Sequence, residues 1–187
     1  MHEPASRVDL RQQSVIAQPG QFGVWALFAD PNFSCVHLPI IALSPPPVTP
    51  PQGCTAENVT PIDVVFALDR SSSFATENRF ENAKTAIVDF LGKMDDASEQ
   101  AGFVPFFDYA ELRRQLTSDK QDVARTVQAV TSAHGSAIGD AIKRSADELL
   151  SERHVPSHRV VIILLTDGEN RSGADPFKEA DAAKARG

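Results

Sequence analysis

Two stretches of this sequence, Ile62-Asp63-Val64-Val65-Phe66-Ala67-Leu68 and Val160-Val161-Ile162-Ile163-Leu164-Leu165, are almost unbroken apolar runs. A strand with one wet face alternates apolar and polar side chains. A strand without alternation is covered on both faces, as in a parallel sheet flanked by helices. Both runs fall far short of the roughly 18–20 residues that a membrane-spanning helix needs. Between them Phe80, Ala83, Ile87, Phe90 and Leu91 recur at helical spacing within residues 78–94, with Asn78 and Glu81 placed as an N-cap pair. Residues 102–107 form a second apolar run, and residues 110–116 read as a short returning strand. Ser118 and Gln121 have capping-box spacing ahead of Val123, Val127 and Val130, and Ile138, Ala141, Ile142, Leu149 and Leu150 mark a further amphipathic helix. Asp175-Pro176 reads as cap and first position of a last helix. The order β-α-β-β-α-α-β-α predicts an open, doubly wound, mostly parallel α/β sheet.

Charge divides the chain. Only six of its 43 Asp, Glu, Lys and Arg residues lie in residues 1–61, so two kinds of structure are joined. Five prolines within residues 44–53 favour an extended spacer over helix or ladder. The reading is therefore a small β-rich remnant of a preceding domain at residues 1–43, with short strands at 14–17 and 21–28 and an apolar run at 36–43. A Pro-rich linker follows at 44–59, and an α/β domain at 60–187. The net charge of −7 excludes a basic surface for phosphates, so nucleic acid is not an expected partner. Cys35 and Cys54 match no zinc spacing; they are two buried thiols or one bridge across the linker.

In an open α/β sheet ligands bind beyond the carboxyl ends of the strands, so the residues after the two apolar runs carry the chemistry. They are Asp69-Arg70-Ser71-Ser72-Ser73 and Thr166-Asp167-Gly168-Glu169, and a third loop, His134-Gly135-Ser136, adds one more hydroxyl. Alternate side chains of a tight loop turn toward one centre, which gathers the Asp69 carboxylate with the Ser71 and Ser73 hydroxyls. An oxygen set of this kind selects Mg²⁺, Mn²⁺ or Ca²⁺ over softer metals. His134 reads as a surface histidine, and Arg70 and Glu169 read as solvated rim charges flanking this centre, with tuning of partner choice as their alternative role.

These segments resemble the von Willebrand factor A domain, or integrin I-type domain, with its metal-ion-dependent adhesion site. The family pattern is Asp-x-Ser-x-Ser after the first strand, a Thr in a later loop and an Asp after the fourth strand. Asp69, Ser71 and Ser73 match the first part, Ser136 stands at the Thr, and Asp167 matches the last. Ser136 lacks the methyl that stiffens a threonine, and Ser72 stands where such domains often carry glycine, which matters if that position needs positive φ. The resemblance implies six strands in the order 3-2-1-4-5-6, of which residues 62–187 supply four. The domain is then expected to lack its last strands and to leave residues 160–165 as an exposed apolar edge.

The resemblance further implies a non-catalytic, metal-dependent protein-binding or adhesion module. Ser71, Ser73 and Ser136 would ligate the cation directly, Asp69 and Asp167 would supply charge and orient water, and a partner protein would present Glu or Asp to the metal. A metal-dependent phosphoryl-transfer or hydrolytic enzyme is the alternative, but an aspartate nucleophile of that type needs a second Asp at the position held by Ser71. A structural surface domain whose metal site stays empty is the third reading. The family and the Asn58-Val59-Thr60 sequon lean toward a secreted or cell-surface location, and with it toward a Cys35–Cys54 disulfide.

Overall fold

The computed structural model describes residues 60–167 and 170–186 of the chain, together with the backbone of three short strands ahead of them: β1 (Arg7–Asp9), β2 (Ser14–Ile16) and β3 (Gly23–Phe28). The expected linker, Cys35, Cys54, Asn58, Gly168 and Glu169 lie outside the described residues. After these come β4 (Ile62–Asp69), α1 (Arg79–Leu91), β5 (Gln100–Phe106), β6 (Arg114–Thr117), α2 (Lys120–Ala129), α3 (Ile138–Leu149), β7 (Arg159–Thr166) and α4 (Pro176–Ala185). The order of elements is the one expected, in an α/β sheet with strand order β3-β7-β4-β5-β6.

β4 runs parallel to both β5 and β7, and β6 closes one side antiparallel to β5. β4 is buried along its whole length, which is why it shows no alternation. Its side chains still divide by parity. Ile62, Val64, Phe66 and Leu68 pack with Phe80, Ile87 and Phe90 of α1 and Val123 and Val127 of α2. Val65 and Ala67 pack with Ile138, Ala141, Ile142 and Leu149 of α3 on the opposite face, and Ala180 and Ala183 of α4 lean on the same cluster. Phe66 and Phe90 meet edge to face at 5.3 Å, an arrangement that adds to their burial.

Four expectations are corrected. β7 is not an open edge, because β3 pairs with it antiparallel from Gly23 opposite Thr166 to Phe28 opposite Val161, occupying hydrogen-bonding groups the strand would otherwise present to solvent. The returning strand is confined to Arg114–Thr117, and Ala110 contributes only an isolated bridge to Phe106. Asn78 precedes α1 in left-handed backbone (φ 60°) and makes no capping bond, while α2 is capped by Asp119, whose side chain accepts from the Asp122 N–H, rather than by Ser118. The last helix does begin as expected, with Asp175 Oδ1 accepting from the Phe177 N–H at 2.9 Å.

The topology fixes one position above the others. From β4 the sheet extends toward β5 on one side and β7 on the other, so the strand order reverses between β4 and β7. A crevice opens at the carboxyl ends of two such strands because their following segments diverge to opposite faces.

Candidate functional site

Asp69 is the last residue of β4, and parity puts its side chain on the α3 face, where it is completely buried. Three segments of chain converge on its two oxygens. Oδ1 accepts from the Ser71 N–H at 2.8 Å, the Asx geometry that turns the chain out of the strand. Oδ2 accepts from the Ser136 hydroxyl at 2.9 Å and from the Thr166 hydroxyl at 2.6 Å. Register explains the last contact, since Leu68 lies opposite Leu165 and the next pair is Asp69 with Thr166. Burial pushes the Asp69 carboxyl above the usual carboxylate range, and the hydrogen bonds from Thr166, Ser71 and Ser136 work against that shift.

The first loop is held by its own hydroxyls. Ser71 is buried, its Oγ lies 3.2 Å from Ser73 Oγ, and Ser71 Oγ accepts from the Phe74 N–H at 3.4 Å. Phe74 is fully buried and anchors the turn before a short 3₁₀ segment at Thr76–Asn78. Ser72 is exposed and has no positive φ, so the side chain in place of glycine imposes no strain.

The Ser136 loop is drawn in by backbone bonds. Ala133 N–H donates to Arg70 O at 2.6 Å, Ala137 N–H to Phe107 O at 2.6 Å, and Arg171 N–H to Ser136 O at 2.8 Å. Gly135 takes φ +85°, and a Cβ there would stand 2.0 Å from Asp108 Oδ1, so this tight approach admits only glycine. Ser136 ends up almost fully buried, and its bond to Asp69 fixes the hydroxyl that a threonine methyl would have stiffened. Because that hydroxyl donates its proton to Asp69, its lone pairs remain free to accept.

Asp167 follows β7 directly. Its Oδ1 is buried and has no hydrogen-bond partner among the described residues. An orphaned buried carboxylate oxygen is rare, because desolvation without a partner costs several kcal/mol or about that for a charged group. The donor set as a whole is oxygen: three serine hydroxyls, one orphaned carboxylate oxygen, and a second carboxylate saturated by internal donors. Hard divalent cations take such ligands. Among the described residues no group of three or more His, Cys, Asp and Glu side chains is placed to hold a metal ion.

The structure thus draws Asp69, Ser71, Ser73 and Ser136 together and sets Asp167 at the neighbouring strand tip. His134 is exposed and takes no part in the cluster. Two residues were not singled out from sequence. Thr166 joins the Asp69 network, and Asn170 Oδ1 accepts from the Ile138 N–H at 2.8 Å, capping α3 from across the crevice. A threonine ending a β-branched strand carries no signal of this role; only the pairing of β4 with β7 exposes it.

The von Willebrand factor type A domain model matches residues 63–187. Human calcium-activated chloride channel regulator 1 is 30% identical over 127 residues, 65% of this chain and 14% of that protein. The human collagen alpha-1(VI) chain is 28% identical over 129 residues, 62% of this chain and 12% of that one. The chain therefore spans a small part of the length of these curated relatives. Proximal thread matrix protein 1 of the mussel byssus superposes with a TM-score of 0.62 at 24% identity, over 68% of this chain and 36% of that one. The same mussel protein with a zinc-occupied MIDAS motif gives a TM-score of 0.60 at 23% identity, over 68% and 36%. Arrangement, motif order and these likenesses agree, and the chain belongs to the von Willebrand factor type A domain family.

Proposed function

We propose that residues 60–187 form a non-catalytic, metal-dependent protein-binding module whose cation is held by Ser71, Ser73 and Ser136, with Asp69 and Asp167 supplying charge. One observation carries this reading: the buried Asp167 Oδ1, left without a partner beside a cluster of serine hydroxyls. Those residues fit Mg²⁺, Mn²⁺ or Ca²⁺, and the zinc in the mussel protein's MIDAS motif supports a divalent ion at this position of the fold. A divalent cation held mainly by neutral hydroxyls stays electrophilic and accepts a Glu or Asp oxygen from a partner protein. Asp69 fixes the backbone of Ser71 and orients the hydroxyls of Ser136 and Thr166, whose oxygen lone pairs stay available for ligation.

The same geometry disfavours the enzymatic alternative. An attacking carboxylate must reach its substrate, whereas Asp69 is fully buried with both oxygens taken by internal donors. A secreted or surface location goes with the adhesion reading, as does a Cys35–Cys54 disulfide; thiol counting on denatured, unreduced protein finds no reactive thiol if so and two if not. No helix among the described residues is long and apolar enough to cross a membrane.

Titration of Mg²⁺, Mn²⁺ and Ca²⁺ into the folded protein tests the site. One equivalent should bind wild type, and Asp69→Ala and Asp167→Ala should each weaken binding by an order of magnitude or more. Unchanged binding in both variants would refute the assignment.

A further inference from the structure

Arg70, immediately after Asp69, is stitched to both walls of the crevice. Its N–H donates to Phe106 O at 2.9 Å, and its carbonyl accepts from the Ala133 N–H at 2.6 Å. Its side chain is equally fixed. Nε donates to Thr131 O at 2.5 Å, and the guanidinium carbon lies 4.9 Å from the centre of the Phe107 ring. Phe107 in turn packs on Tyr109 with ring centres 4.4 Å apart, and Tyr109 is 54% exposed. The Phe107 carbonyl holds the Ala137 N–H, next to Ser136, so this arginine–aromatic stack lies between the Ser71–Ser73 loop and the Ser136 loop.

The guanidinium spends one of its five N–H donors on Thr131. Among the described residues no carboxylate lies within ion-pair distance of it; the nearby Glu111 is paired to Arg113 at 2.7 Å. An arginine oriented by stacking, half-buried, with its Nη fork unspent, is suited to a carboxylate in two parallel hydrogen bonds. In a chain of net charge −7, a fixed cation at this rim is a local departure from the general field.

We propose that Arg70 is a specificity-determining residue of the binding face and takes a second carboxylate, so that the partner presents an acidic segment with two closely spaced carboxylates. Tyr109 forms the apolar ledge beside them. The inference rests on the reading of the serine–aspartate cluster as a cation-dependent carboxylate site, and it narrows the partner from any Glu or Asp to a diacidic stretch.

The test uses two blocked hexapeptides, one with a single Glu among Gly, Ser and Gln, the other with Glu in place of a Gln two positions away. Each is titrated into the full chain by chemical-shift mapping with saturating Mg²⁺ and with no divalent cation, and the readout is the ratio of affinities. Wild type should prefer the diacid by about tenfold, the worth of one charge-assisted pair at a half-exposed site. Arg70→Gln should bring the ratio to about one, and Arg70→Lys should restore part of it. A wild-type ratio of one, or a preference that survives in Arg70→Gln, overturns the Arg70 assignment while normal cation binding leaves the site itself standing. An Arg70-dependent preference in a protein that binds no cation supports Arg70 and overturns the metal reading. No binding of either peptide at millimolar concentration overturns both.

Discussion

Asp69 is buried at a cost to the metal-free domain. In the metal-free domain burial raises its carboxyl above the usual range, so the folded state keeps the proton to higher pH than the unfolded chain does. The sign follows: this group's favourable contribution is complete below the ordinary carboxylate range and is lost as pH rises through the raised folded value, leaving a cost at neutral pH. Asp69→Asn keeps a neutral hydrogen-bonding group of the same shape. It should leave the metal-free domain at pH 7 as stable as wild type or more so, flatten the decline of stability between acid and neutral pH, and abolish the rise in Tm on adding Mg²⁺. Thermal melts across that range, with and without cation, check all three; a large loss of metal-free stability at pH 7 would show Asp69 to be structural. Asp69, Ser71, Ser73 and Asp167 stand out in the sequence because they follow apolar strands, whereas Ser136, in the loop between α2 and α3, stands out as a hydroxyl at a helix start that matches the family pattern. Thr166 does not stand out, because its bond to Asp69 spans 97 residues and depends on strand register.

At the scale of elements, hydrophobic periodicity located α1, α2 and α3 and the Asp175-Pro176 pair located α4, but the caps were only partly legible. Asp175 was right because Pro176 fixes where the helix starts. Ser118 and Asp119 are adjacent and chemically equal to the task, and the choice between them depends on a contact that no local pattern contains. The buried Lys120 donates through Nζ to Asp95 O, Glu99 O and Ser118 O, which holds Ser118 outside the helix and leaves Asp119 to cap it. Asp119→Ala should therefore cost about 1 kcal/mol in chemical denaturation, and Ser118→Ala close to nothing. The reverse order would show that the capping bond at Asp122 N–H is not what starts α2.

β4 carries a buried aspartate near each end, and the proposed function gives the two different work. Asp63 accepts at Oδ2 from Val155 N–H at 3.0 Å and meets His154 Nδ1 there at 2.8 Å, while its Oδ1 meets His158 Nδ1 at 2.7 Å. It clamps the segment before β7 onto the sheet, about 20 Å from Asp69 along the strand at ~3.3 Å per residue. Asp63→Ala strands half-buried donors and should lower stability by about 1–3 kcal/mol without moving cation affinity, which separates this end of the strand from the proposed binding end. The oxygen-rich tips of two apolar runs pointed to the crevice between β4 and β7, and the order of the strands beside it came from the family resemblance. The cover that β3 lays along β7 was not legible, because a six-residue apolar stretch carries no record of its distant partner. The central claim is that a cation sits in that crevice on serine hydroxyls. A crystal structure grown with Mn²⁺ and measured at the manganese absorption edge tests it most directly: the account predicts one anomalous peak within bonding distance of Ser71, Ser73 and Ser136 oxygens, and a peak elsewhere, or none at saturating Mn²⁺, would contradict it.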